Sequence, residues 1–215
     1  MLDSVQQRAN MVATQLRTND VSDARLIKAV LGVAREDFVP GPLTALAYME
    51  GCIPLGKDRV ILDIRSFGKL VQVADIKASD RVLDVGCGTG YSTAIFAQLA
   101  AHVAGLEQDR DLATAAIANL RGVAHAEIVT GRLTDGIREK APYDVIFLNG
   151  AVERTPSILV DQLANGGRLL CIFRDGEAGH ARLYLKNEDA IGERSTFDAQ
   201  APVLPGFEKA RSFAF

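Results

Sequence analysis

The chain has 215 residues, of which 48% are hydrophobic, and a formal net charge of −3. That length suits one α/β domain with a substantial core, and the apolar content excludes disorder. The slight acidity speaks against a broad nucleic-acid footprint, and no apolar run approaches the roughly 18 residues that span a bilayer.

The chain opens on a polar amphipathic stretch without a signal-peptide pattern, so a cytoplasmic location and no membrane partner are expected. Val5, Ala9, Val12 and Leu16 recur at helical spacing between Ser4 and about Arg17, with Ser4 and Gln7 as a capping box. A second helix is expected from near Ser22, with Leu26, Ile27, Val30 and Leu31 on one face. Pro40-Gly41-Pro42 breaks that pattern. Leu43 to Arg65 has mixed polarity and no period, and irregular segments of this kind often carry substrate contacts. A helix from about Ser66 to Ile76 then leads into an apolar strand, Arg81–Val85.

From there strands and helices alternate. The spacing predicts a helix from Ser92 to Ala101, a strand at Val103–Leu106, a helix over Asp109–Leu120 and strands at Ala126–Val129 and Asp144–Leu148. Thr155 as N-cap and Pro156 at the first position predict a helix to Leu163, followed by a turn at Asn165–Arg168 and a strand at Leu169–Phe173. Ala181–Lys186 and Arg211–Phe215 read as strands joined by a long excursion containing Pro202 and Pro205. Such alternation implies right-handed crossovers and a Rossmann-like, doubly wound, mostly parallel sheet of seven strands with helices on both faces. The expected organisation is one domain, with residues 1–76 as an N-terminal helical, substrate-side extension and 77–215 as the cofactor-binding sheet.

The chemistry concentrates after Arg81–Val85. Gly86, Gly88 and Gly90 form a glycine-rich strand-to-helix turn, where α/β sheets place nucleotides. Glu107 ends the next strand, roughly 20 residues on, where an acid takes ribose hydroxyls. The third glycine comes one position too early for a dinucleotide fingerprint, and Tyr91 stands where that fingerprint wants glycine. No Lys-Ser/Thr follows, which excludes a phosphate-cradling loop. An acid at Asp84 suits a cationic ligand better than a phosphate and so favours S-adenosylmethionine, with Asp84 oriented toward its ammonium. Cys52, Cys87 and Cys171 are widely spaced and the three histidines form no cluster, so no metal is expected.

Asp84-Val-Gly-Cys-Gly-Thr-Gly90 resembles motif I of class I S-adenosylmethionine-dependent methyltransferases. The N-terminal elements narrow the resemblance. Arg8–Leu16, Val33–Pro40, Ala47-Tyr48 and Ile53–Gly56 are similar, in that order, to segments of the protein-L-isoaspartate O-methyltransferases. Ala141–Ile146 and Gln162–Leu169 resemble that family's APFD and QL-PGGRL elements. The resemblance implies cofactor contacts from Asp84, Gly86, Cys87, Gly88, Gly90, Tyr91, Glu107 and Gln108, with Arg132 and Leu133 beside the adenine. It also implies a protein or peptide acceptor bearing isoaspartyl residues and places Asn149 near the reaction centre.

Three departures from the family stand out. The family's T-I-S-x-P segment, whose hydroxyls help hold the isoaspartyl carboxylate, is replaced by Val60-Ile-Leu-Asp-Ile64, so that Leu62 stands for a hydroxyl. Gly131-Arg132-Leu133 replaces G-D-G, with Asp135 as a substitute contact, and Asn149-Gly150 replaces Thr-Ala. Methylating a carboxylate requires mainly alignment of the oxygen at about 3–3.5 Å, so the losses bear on specificity more than on chemistry. Arg59 or Arg65 is therefore a candidate grip for an anionic acceptor, and a solvated loop paired with Asp58 and Asp63 is the competing reading. Isoaspartyl repair, methylation of an unidentified anionic acceptor, and a non-catalytic cofactor-binding homologue all stay open, as does a monomer or a dimer.

Overall fold

The computed structural model describes residues 3–188 and 190–210. Helix α1 (Ser4–Met11) is capped one residue ahead of the expected Ser4, because the Asp3 carboxylate accepts from the Gln6 amide at 2.7 Å. It continues through a π turn, Val12–Leu16, and a 3-10 turn ending at left-handed Asp20. Helix α2 (Ala24–Gly32) is capped by Asp23 and buries Leu26, Ile27, Ala29 and Val30.

The stretch expected to be irregular holds a hairpin. Strands β1 (Ile53–Gly56) and β2 (Arg59–Ile61) pair antiparallel, with a register shift at Leu55. Lys57 and Asp58 turn the chain, both with positive φ, as a two-residue turn of the primed type requires. Helix α3 (Ile64–Ala74) follows directly and begins two residues earlier than expected, since Asp63 caps it by accepting from the Ser66 amide.

The main sheet contains β3 (Arg81–Val85), β4 (His102–Glu107), β5 (Ala126–Thr130), β6 (Tyr143–Val152), β7 (Leu163–Asp175), β8 (Ala178–Asn187) and β9 (Ala190–Asp198). Their order is β5-β4-β3-β6-β7-β8-β9, parallel from β5 to β7 and antiparallel thereafter. Strand β9 lies in the expected excursion, and the strand expected at Arg211–Phe215 falls outside the described residues. Helix α4 (Tyr91–Phe96) is shorter than expected, α5 (Arg110–Asn119) is close to expectation, and α6 (Ser157–Val160) is a single turn capped at Pro156 rather than Thr155. The expected turn at Asn165–Arg168 is a bulge inside β7, where the pairing with β6 skips from Leu163 to Arg168.

Both faces of the sheet are covered, which is why its central strands are apolar almost throughout. Val82, Val145 and Phe147 pack with the N-terminal helices and α3, alongside Phe67 and Phe96. Leu83, Val85, Ile146 and Leu148 pack on the other face with Leu159, Tyr184 and Phe207. The strand order reverses between β3 and β6, so the loops after these strands diverge and open a crevice at their carboxyl ends. Residues 202–207 run back along the end of β6, with Ala151 donating to Pro202 O and Leu204 donating to Ala151 O, both at 2.8 Å. No helix of the described residues is long and apolar enough to cross a membrane.

Candidate functional site

The glycines after β3 are required by the backbone. Gly86, Gly88 and Gly90 have φ of 71°, 59° and 96°, in the left-handed region that side chains disfavour. Gly90 opens α4, and the loop is pinned by the Thr89 hydroxyl donating to Phe38 O at 2.6 Å and by Asn119 donating to Thr89 O.

Asp84 lies under this loop with no exposure. Its Oδ2 accepts from the hydroxyls of Ser92 and Thr93 at 2.7 and 2.6 Å, and its Oδ1 accepts from the Asn149 amide. Burial pushes its carboxyl up to about 6, against these hydrogen bonds, which pull the other way. The buried Cys87 thiol is pushed up as well, so it stays protonated and is no nucleophile at neutral pH.

Glu107 ends the neighbouring strand and is also fully buried. Its Oε2 accepts from the Gly88 amide at 2.8 Å. Its Oε1 accepts from the amides of Gln108 and Asp109 at 2.8 and 3.0 Å and from Arg59 Nη1 at 2.6 Å. Arg59 Nη2 donates to Gly86 O at 2.8 Å. The two side chains are 2% and 0% exposed, so this is an interior ion pair between the β1–β2 hairpin and the end of β4.

Two apolar side chains, Leu55 and Leu204, fill what remains beside Arg59. A Cβ added at Gly88 would lie 2.7 Å from Leu55 Cδ1, and one at Gly150 would lie 2.7 Å from Leu204 Cγ. At Gly86 it would meet Arg59 Nη2 at 2.9 Å and Leu204 Cδ2 at 3.1 Å. The cavity left among Val60, Leu62, Gly86, Tyr91, Ser92 and Asn149 is about 10 Å³, room for one water. Ligands of nucleoside size occupy cavities of about 300 Å³ or more. The donor set therefore suits S-adenosylmethionine, with an acid at each of two adjacent strand ends and bare glycine backbone between them. The space does not suit it, because Arg59, Leu55 and Leu204 stand in it.

The remaining candidates separate into two groups. Leu62 and Asn149 line the small cavity with Tyr91, and Leu62 O accepts from Arg35 Nη2 at 2.8 Å. Arg35 was not singled out by its sequence context; it is 1% exposed and lies 4.6 Å over the Tyr91 ring. Its sequence signal is its place in Val33–Pro40, a segment of the family resemblance, which does not say that its side chain turns inward to Tyr91. Arg65 is exposed and lines a separate surface cavity of about 610 Å³ with Gln15, Glu50, Cys52 and Asp63. Arg59 thus faces inward and Arg65 outward. Gln108 and Arg132 are both exposed and border an open cavity of about 340 Å³ with Thr134 and Pro205, while Leu133 is core. Asp135 is exposed and accepts from the Thr134 hydroxyl. Among the described residues no group of three His, Cys, Asp or Glu could hold a metal ion.

Comparison with known proteins adds a lineage. The protein-L-isoaspartate(D-aspartate) O-methyltransferase family model matches residues 6–199. A protein-L-isoaspartate O-methyltransferase of Methanoculleus marisnigri is 37% identical over 166 residues, 76% of each chain. One from Vibrio atlanticus is 29% identical over 201 residues, 93% of this chain and 97% of its own. A solved protein-L-isoaspartate O-methyltransferase superposes with a TM-score of 0.80 at 23% identity, covering 93% of this chain and 66% of the other. A structure of this type from Plasmodium falciparum, in complex with S-adenosyl-L-homocysteine, superposes at 0.79 with 19% identity over 95% of this chain and 99% of its own.

Proposed function

The chain belongs to the protein-L-isoaspartate(D-aspartate) O-methyltransferase family, and from that membership we propose that it is an S-adenosylmethionine-dependent methyltransferase acting on isoaspartyl carboxylates of proteins. One observation carries the reading. Asp84 and Glu107 end adjacent parallel strands, and a loop of three left-handed glycines lies between them. In this reading Asp84 serves the cofactor's ammonium and Glu107 its ribose diol. Gly86, Cys87, Gly88, Gly90 and Tyr91 form the cradle, and Gln108, Arg132 and Leu133 flank the adenine. Repair of damaged protein in the cytoplasm is the setting that fits the family.

The chain's own residues have a limited part in the chemistry. A free aspartyl-type carboxylate, with a reference pKa of about 3.9, is already anionic near neutrality and needs no general base. Asn149 fixes Asp84, while Leu62 and Val60 give the small cavity beside it an apolar wall.

The same wall favours a second reading, a methyltransferase with another acceptor. Leu62 is 2% exposed and apolar, and it offers a carboxylate no hydrogen bond. Transfer of a labelled methyl group to an isoaspartyl peptide, against its normal aspartyl counterpart, separates the two. Turnover of the isoaspartyl peptide alone supports the first reading, and turnover of neither peptide with cofactor consumed in a lysate supports the second.

A further inference from the structure

The β1–β2 hairpin is fastened across the crevice at three points. At its tip, Lys57 Nζ lies 2.6 Å from Asp109 Oδ2, at the start of α5. In its middle, Leu55 rests on Gly88. Directly after the turn, the Arg59 guanidinium spans Glu107 and Gly86 O. The Glu107 carboxylate, with about four acceptor positions, already receives four donors, and one of them is the charged group of Arg59. A ribose diol reaching Glu107 must take the place of Arg59, because the other three donors are backbone amides of the loops themselves.

We infer that Arg59 is the internal competitor of the cofactor at Glu107, and that the hairpin carrying it sets cofactor affinity by opening and closing the crevice. The inference rests on the cofactor reading above. Its physical basis is an exchange of partners. Both partners bond to an ionised carboxylate, but only the guanidinium brings a full opposite charge into the buried site, so a neutral diol is a weaker partner for Glu107. Ligand affinity is then reduced by the fraction of molecules whose hairpin is open. The hairpin forms its own two-stranded sheet and is not hydrogen-bonded to the seven-stranded one. Ile53 and Ile61, away from the turn, are 2% and 7% exposed and anchor it in the core, so the part that moves is the tip. What the tip breaks is the Arg59 pair, the Leu55 contact and the exposed Lys57 link.

The Leu204 contact belongs to a separate segment. Residues 202–207 are tied to β6 by backbone hydrogen bonds and stay in place when the hairpin tip leaves. Leu204 thus limits the crevice equally in every hairpin variant, and differences in affinity among them report on the hairpin's own contacts.

Calorimetric titration of the full chain with S-adenosyl-L-homocysteine tests this, on wild type, Arg59→Gln and Lys57→Ala. Wild type is expected to bind weakly, Arg59→Gln at least about tenfold more tightly, and Lys57→Ala about two- to fivefold more tightly, in line with an exposed ion pair. Lys57 lies outside the cradle, so its variant keeps the test valid should Arg59→Gln fail to fold. Equal affinity in all three proteins overturns the competition and leaves the cofactor reading standing. Absence of binding by all three at millimolar ligand removes both.

Discussion

Asn149, near the end of β6, donates its side-chain amide to Asp84 on β3, joining the two strands where the order of the sheet reverses. With the hydroxyls of Ser92 and Thr93, it completes the shell around a carboxylate that has no contact with solvent.

That shell predicts an unusual pH dependence. Asp84 binds its proton more tightly folded, at about 6, than at its ordinary value of 3.8. The folded state therefore gains from Asp84 at low pH and loses that gain as pH rises from about 4 to about 6, with no further change above. The full swing is at most on the order of 3 kcal/mol. Urea unfolding of wild type and Asp84→Asn at pH 4.5 and 7.5 should show the variant gaining relative stability at the higher pH. A difference that does not vary with pH would count against the buried, proton-binding Asp84.

Arg168 predicts the largest loss outside the site. From β7 it donates to the carbonyls of Ala74 and Asp75 at the end of α3, to Asp144 O and to Asp80 Oδ2 at 2.7 Å. Asp80 is 6% exposed and would be left without this charged partner. Arg168→Ala should cost about 3 kcal/mol, near the low end for breaking a buried pair, and lower Tm by roughly 6–12 °C. A drop under 2 °C in a thermal scan would show that the clamp contributes little.

Two glycines should behave oppositely. A Cβ at Gly167, in the β7 bulge, would lie 2.8 Å from Ala164 O and 2.9 Å from Tyr143 O, both backbone atoms. Gly167→Ala should therefore destabilise by about 1–3 kcal/mol, as overpacking does. At Gly192 on exposed β9 the nearest atom is 4.0 Å away, and Gly192→Ala should be neutral or stabilising by up to about 1 kcal/mol. Equal effects in denaturant melts would contradict the bulge geometry.

Restoring hydroxyls to the acceptor wall should restore carboxylate recognition. In an Arg59→Gln background, adding Val60→Thr and Leu62→Ser is expected to raise kcat/KM for an isoaspartyl peptide by about tenfold, the worth of one hydrogen bond. The normal aspartyl peptide should be unaffected. A parallel rise for both peptides would assign the gain to cofactor access instead.

How legible this was in the sequence varied with burial. Strands β3, β4 and β6 are apolar on both faces, so they announce themselves, and the glycines between β3 and α4 fix the turn. Strand β9 is exposed at nearly every position and shows no alternation to read. The β1–β2 hairpin leaves little trace in the sequence, because its strands have four and three residues, one holds a proline, and Lys57-Asp58 lacks the Asn-Gly signature of such turns. Without the hairpin the partner of Arg59 is not legible either. As a loop residue it invites pairing with Asp58 or an outside anion, whereas in the hairpin it turns inward to Glu107, 48 positions away. The cofactor acids were readable from strand ends, but the group lying between them was not.

The most direct test is nitrogen NMR of the Arg59 guanidinium, in the free protein and during titration with S-adenosyl-L-homocysteine. Slowly exchanging η protons are expected in the free protein, assigned by their loss in Arg59→Gln, and they give way to fast exchange as ligand binds. An Arg59 guanidinium that exchanges freely before ligand is added, as exposed Arg65 should, would contradict the competition at Glu107.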